Sequence, residues 1–274
     1  KTNLLITPNA VKSAKLYSVI PSNGTGDCTV VRNTTATKVN SLGLIESVSA
    51  NVPRINYLTA GGNPFILDEP QRTNLVLFST DISDTAWFKG TAIVTFNQGT
   101  SPDGLNNAVK ITRGGSSDFV SQSYNPSSVL NHARSIYAKT VSGTGQIRLL
   151  SFSGNTNNLF TITNQWQKFE LNSYVGTGAP AFYAADFRST GVTLNEILVW
   201  QPQAEVGALA SSSIFTQAAA VTRNADVITV APPAGTVKIT TTFSNDTSQV
   251  ITTIPALFTV PDGLIKQVLM QSSL

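Results

Sequence analysis

The chain has 274 residues, enough for one large β core or two smaller ones. Only 12% of them are charged, against about a quarter in an average soluble protein, which excludes a surface built from charged amphipathic helices. The formal charge of +3 comes from 18 basic and 15 acidic residues scattered without a basic block, which argues against a nucleic-acid-binding footprint.

Thr, Val, Ile and aromatic residues between Gly, Asn, Pro and Ser turns predict an all-β protein. Lys1-Thr2-Asn3-Leu4-Leu5-Ile6 runs straight into Thr7-Pro8-Asn9, which is not a signal-peptide pattern, and no apolar run reaches the ~18–20 residues of a membrane span. Short apolar runs (Leu4–Ile6, Leu16–Ile20) precede a loop at Asn23-Gly24-Thr25-Gly26-Asp27. Alternation from Val30 to Val39, a turn at Ser41-Leu42-Gly43, a return through Leu44–Val48 and an extended segment at Val52–Tyr57 make a meander. Residues 1–75 are too polar to form a globule alone and are expected to pack on another domain or on neighbouring subunits. Cys28 is the sole cysteine, so no intrachain disulfide forms, and its place at a strand start predicts a buried thiol.

Residues 76–206 carry about nine strand-like runs between Gly/Asn/Ser turns, among them Ala92–Phe96, Ala108–Thr112, Asp118–Gln122, Ala133–Lys139, Gln146–Phe152, Trp166–Leu171, Ala181–Ala184 and Leu194–Trp200. That number at that spacing predicts a two-sheet sandwich. Residues 207–230 read as a linker with a short strand. Residues 231–274 add strand-like Thr236–Phe243, Gln249–Pro255 and Leu264–Met270, a β segment too small to fold alone that completes the layer begun by the N-terminal meander.

Three stretches carry a family likeness. They are Gly43-Leu44-Ile45-Glu46 through Asn51-Val52-Pro53-Arg54; Asp68-Glu69-Pro70-Gln71-Arg72-Thr73-Asn74-Leu75, continuing to Asp81-Ile82-Ser83-Asp84 and Trp87; and Val221-Thr222-Arg223-Asn224-Ala225-Asp226. Together they resemble segments of bacteriophage virion proteins of the tail, fibre or spike type, where they flank a jelly roll like those that bind carbohydrate. The order of cues from Trp87 through Ser135–Lys139 and Asn164–Phe169 to Leu194–Glu205 is similar to carbohydrate-binding jelly rolls themselves. The resemblance implies a central jelly roll bracketed by N- and C-terminal β segments, a homotrimer, other virion proteins and a host cell-surface polysaccharide as partners, and a place on the particle after synthesis in the host cytoplasm. It also implies a structural Ca²⁺, with Asp81 and Glu196 as the matching acids, although Asn195-Glu196 stands where the family more often has an Asp pair. No other cofactor is expected.

Catalytic schemes find little support. His132, the sole histidine, sits at a turn-to-strand entry without a nucleophile motif and reads as a solvated loop histidine. Asp186, Glu196 and Glu205 offer carboxylates for glycoside hydrolysis, as scattered acids in any sandwich would. Gly114-Gly115 lacks the helix and lysine of a phosphate loop. No enzyme activity is expected. A glycan site needs an aromatic platform with amides or charged groups around it. Trp166 and Trp200 lie in strand patterns that predict core packing, and Trp87 packs in the related modules. Tyr124 and Tyr183, with Gln122, Asn125, Asp186 and Arg188, are the better exposed candidates. Arg54, Arg72 and Arg223 recur in the three phage-like stretches and are expected to act as structural staples or to cross a subunit interface. The alternatives to an adhesin are a purely structural capsid or decoration protein and a secreted carbohydrate-binding module.

Overall fold

The computed structural model describes residues 1–21, 28–116, 118–124, 131–150, 158–174, 181–188 and 190–273. The fold is all-β: 23 strands and no helix among the described residues, and therefore no helix long and apolar enough to cross a membrane. The expected loop at Asn23–Asp27 and the candidate Asn125 lie outside the described residues. The chain divides into two compact units, Arg72–Thr222 and a discontinuous one made of Lys1–Gln71 with Arg223–Leu274. The expected linker 207–230 is thus shared between them, with 207–222 in the first unit and 223–230 in the second.

The discontinuous unit is built on a seven-stranded antiparallel sheet. Its path runs Lys15–Ile20, Thr2–Lys12, Gly263–Ser272, Thr236–Phe243, Ser248–Ile251; Pro64–Asp68 joins along Gly263–Ser272 and carries Arg54–Tyr57 on its other side. Period-two alternation sets the buried face, since Leu4 and Ile6 point inward opposite Met270 and Val268. Ile228, Val230 and Phe258 from a small three-stranded sheet belong to the same apolar cluster, and Cys28 is buried there as the sequence predicts.

Inside this unit three arginines converge on two acids. Arg32, Arg54 and Arg223 are at most 1% exposed. Asp226 accepts from Arg32 at 2.7 Å, bonds Arg54, and lies 3.8 Å from Arg223. Glu69 pairs Arg54 at 2.8 Å and Arg223 at 3.3 Å. Guanidinium N–H groups of all three also reach backbone carbonyls: Arg32 to Ser49 (2.6 Å) and Thr34 (3.0 Å), Arg54 to Thr37 (3.0 Å), Arg223 to Pro70 (3.0 Å). Loops too polar to pack by apolar contact are held instead by forked donors, which is why guanidinium and not ammonium stands here.

The unit Arg72–Thr222 is a two-sheet jelly-roll sandwich. One sheet orders five strands as Gln167–Tyr174, Asn131–Lys139, Glu196–Val206, Val109–Thr112, Ile93–Thr95; the other orders four as Phe119–Ser123, Ala181–Asp186, Gly145–Arg148, Leu159–Ile162. Between them lies a core that includes Val109, Ile111, Val120, Ile136, Ile147, Phe182, Ile197 and Val199. Trp87 closes one margin, edge-on to Phe182 at 6.1 Å and 2% exposed.

Candidate functional site

The two outer faces of the sandwich differ. The outer face of the five-stranded sheet is covered along the C-terminal half of the strand Glu196–Val206 by the segment 211–216, which polar side chains of that strand bind. Gln201 donates to the Ile214 carbonyl (2.9 Å), and Gln203 accepts from Ile214 N (2.7 Å) and donates to the Ser212 carbonyl (3.2 Å). Glu205 accepts from Ser211 N (2.8 Å) and Oγ (2.5 Å). Burial pushes the Glu205 carboxyl above its ordinary range even against those bonds. Phe215 packs on Trp200 at 5.7 Å, and Asn74, fully buried, donates to the Ile214 carbonyl (2.9 Å) while accepting from Ala204 N (3.1 Å). Trp200 is 2% exposed and offers no platform there. Trp166 is half-buried, bonded through Nε1 to the Thr100 carbonyl at 2.8 Å, with Lys139 5.3 Å from its ring.

The outer face of the four-stranded sheet carries an aromatic and charged group. Ile147 and Leu149 face the core, so Arg148 between them points out; Val120 and Ala185 face the core, so Phe119 and Asp186 point out. Register then lines up Phe119, Asp186, Arg148 and Leu159 as one row across all four strands. Tyr183 sits beside Ser121 on the same face. Phe119 contacts Phe88 (centroids 5.0 Å, stacked) and Tyr183 (5.4 Å). The Arg188 guanidinium lies 4.0 Å from the Phe119 centroid and 5.2 Å from that of Tyr183. Asp186 fixes it there, accepting from Nε at 2.9 Å and Nη2 at 2.8 Å, and those bonds hold the guanidinium pKa above its ordinary value.

Phe88 is 56% exposed yet not loosely held. Its backbone pairs with Ser121 in both directions, at 2.8 and 3.0 Å. The loop behind it is braced by Asp118, whose carboxylate accepts from Thr91 N (3.2 Å), Thr91 Oγ1 (2.6 Å), Gly114 N (2.6 Å) and Gly115 N (2.6 Å). Desolvation works to raise the Asp118 pKa, but the donors from Thr91, Gly115 and Gly114 outweigh it and hold the carboxyl below its ordinary value. A shallow groove of about 640 Å³ runs between Thr85–Gly90 and Ser121–Ser123 beside this aromatic group.

Of the predicted glycan-site residues, Tyr183, Asp186 and Arg188 are brought together here. Tyr124 is corrected: it is 4% exposed, belongs to the core, and its hydroxyl meets His132 Nδ1 at 3.2 Å. Burial pushes its phenol up to about 12. Gln122 is also buried, its amide accepting from Leu77 N (2.6 Å) and donating to the Leu77 carbonyl (2.9 Å), a tie between backbone segments. His132 is not a solvated loop residue but a fully buried one on the strand Asn131–Lys139. Phe88, Phe119 and Arg148 were not singled out by sequence, although the alternation of Arg148 with Ile147 and Leu149 marks it as outward-facing.

Asp81 and Glu196, the acids expected at a Ca²⁺ site, each have another partner. The Asp81 carboxylate caps its own turn, accepting from Ser83 N (2.9 Å) and Ser83 Oγ (2.5 Å), and Glu196 lies 3.7 Å from Lys110. No group of three or more metal-ligating side chains forms among the described residues. Of the three predicted staples, Arg54 and Arg223 are in the buried ion cluster. Arg72 lies in the sandwich unit, half-buried, where a Cβ on Gly207 would stand 3.0 Å from its Nε. Arg32, the third member of the cluster, had been read as part of an ordinary strand alternation.

No protein-family model matches the chain, and neither does any curated protein. Among solved structures, the C-terminal family 22 carbohydrate-binding module of Clostridium thermocellum Xyn10B is similar over 50% of this chain and 96% of its own, at 16% identity and a TM-score of 0.35. The tandem family 22 modules of Paenibacillus barcinonensis Xyn10C are similar over 76% and 86%, at 12% identity and a TM-score of 0.38. The enzymatically active domain of bacteriophage CBA120 tailspike protein 4 is similar over 49% of this chain and 21% of its own, at 15% identity and a TM-score of 0.33. Likenesses this distant fix the role of no residue.

Proposed function

We propose that this chain is a non-enzymatic bacteriophage virion protein of the fibre, spike or tail type, whose sandwich unit binds a host cell-surface polysaccharide. The observation that carries the binding is the group of exposed Phe88, half-buried Phe119 and Tyr183, and the Asp186-fixed Arg188 on the outer face of the four-stranded sheet. Aromatic rings and a guanidinium plane stack against the apolar face of a pyranose, and fixed N–H and O–H groups at their margin satisfy its hydroxyls. The geometry is preorganised by the Asp118 brace and the Asp186 pair, which lowers the ordering cost of binding. Each contact is weak, and a homotrimer repeated on a particle multiplies it. The virion assignment is supported by the three motif stretches, whose Arg54, Glu69, Arg223 and Asp226 form, with Arg32, the buried ion cluster of the discontinuous unit. That unit is the one assigned here to particle attachment.

The test is a pull-down of the purified chain on whole cells and on extracted surface polysaccharide of candidate host bacteria, alongside Phe88→Ala and Tyr183→Ala. Saturable binding lost in both variants is expected. Absence of binding by a folded oligomer would leave a purely structural virion protein. A secreted module would present the same face, and a strictly monomeric state in solution would favour it.

A further inference from the structure

The site just described holds more cations than carboxylates. Both oxygens of Asp186 are taken up by Arg188. Arg148 stands directly across the strand pair from Asp186, yet forms no ion pair with it or with any other described acid. Its Nε and Nη1 are shielded from water and have no hydrogen-bond partner among the described residues. The residues of this unit outside the described set (117, 125–130, 151–157, 175–180 and 189) include no Asp or Glu, so no acid there completes the pair either. At the groove margin, Lys89 reaches only the carbonyls of Asp84 (2.5 Å) and Trp87 (3.1 Å). A guanidinium partly withdrawn from water without a counter-charge is destabilising, and proteins otherwise pair such groups.

Resting on the assignment of this face as the glycan site, we propose that its ligand is an acidic polysaccharide, with Arg148 binding a sugar carboxylate. The row Phe119–Asp186–Arg148–Leu159 then divides the labour. The aromatic end and Arg188 take the apolar face and hydroxyls of one residue, and Arg148 takes the carboxylate of the same or the next. Arg148 is half-buried, and Nη2 is not among its shielded nitrogens, so a carboxylate would meet the guanidinium through Nη2.

The test uses the full chain in affinity electrophoresis and calorimetry against polygalacturonate, alginate and hyaluronate, each beside its carboxyl-reduced form, with neutral dextran and xylan as controls. Carboxyl reduction is expected to weaken binding by roughly ten- to a hundred-fold, the value of one charge-assisted contact. Arg148→Gln is expected to lose the same factor and to bind native and reduced polymer alike, while Arg148→Lys retains part of the preference. Equal binding of native and reduced polymer by the wild-type chain would overturn the inference without needing any variant to fold. Binding of neutral polymer alone, abolished by Tyr183→Ala, would overturn the acidic ligand and leave the site standing. Binding of no polymer, or binding that ignores Tyr183→Ala, would overturn the site and the inference with it.

Discussion

Asp226→Asn is the sharpest perturbation of the discontinuous unit. The Asp226 carboxylate, 2% exposed, faces Arg32 and Arg54, whose side chains have no exposure at all, and also accepts from Glu69 N at 3.1 Å. Asparagine keeps the shape but removes the charge and replaces one acceptor oxygen with a donor amide aimed at a guanidinium. Glu69 still compensates Arg54 and Arg223, but Arg32 pairs with no second carboxylate among the described residues. Removing one member of a buried ion pair costs about 3–5 kcal/mol, because the partner charge stays buried. At ~3–5 °C per kcal/mol for a unit of this size, the transition should fall by about 10–20 °C. Differential scanning calorimetry reads the transitions of the whole chain, and hydrogen exchange at Cys28–Val31 and Val227–Val230 assigns the loss to this unit. A change below about 1 kcal/mol, or protection lost in the sandwich unit instead, would refute the claim that the cluster holds these loops together.

Asp68 gives a pH dependence. It is 1% exposed, and burial first, then the charges of Asp226 and Asp262, push its carboxyl up to about 8. A folded-state pKa raised above the ordinary 3.8 contributes stability that is full below pH ~4 and is lost as pH rises through 8. The melting temperature of the discontinuous unit should therefore decline between pH 5 and 9, and Asp68→Asn should flatten that slope in a thermal-shift series. Gly114→Ala should cost about 2 kcal/mol or more, measured by denaturant unfolding, since the added Cβ would stand 2.0 Å from the Thr91 carbonyl oxygen in the loop that Asp118 braces. Tyr124→Phe should cost about 1 kcal/mol by removing the bond to His132 while leaving glycan binding unchanged, which separates its core role from the surface one first expected of it.

The strands were legible where burial is one-sided. Ile147-Arg148-Leu149 alternates because one face meets a core and the other meets water, and periodicity records that directly. The two-sheet sandwich follows from the spacing of such runs, and the jelly roll from the order of cues in the family resemblance. Turn chemistry was less legible. The hairpin between Thr2–Lys12 and Lys15–Ile20 turns through Ser13 and Ala14 at φ 47° and 61°, residues that give no left-handed signal in sequence, so the pairing was invisible before the fold. Long-range polar partners were hidden for a different reason. Arg32 meets Asp226 across 194 positions, and Gln122 meets Leu77 across 45, so nothing local distinguishes these polar residues from solvated ones. Tyr124 and His132 mislead in the same way: the sequence reads one as an exposed site residue and the other as a loop residue, and both are buried and bonded to each other. Of the candidate site, Tyr183, Asp186 and Arg188 are legible as an aromatic residue and charged residues expected to be exposed. Phe88 and Arg148 came from other strands and loops and needed the register.

The central claim is that glycan binds on the outer face of the four-stranded sheet. Backbone amide shifts of the isotope-labelled chain, followed by NMR during titration with oligosaccharide cut from the polysaccharide that the chain captures, test it most directly. The account predicts that the perturbed amides concentrate in Phe119–Ser123, Gly145–Arg148 and Ala181–Arg188 and around Phe88, and saturate together. Perturbation centred on Trp200 and Phe215, or in the discontinuous unit, would contradict it.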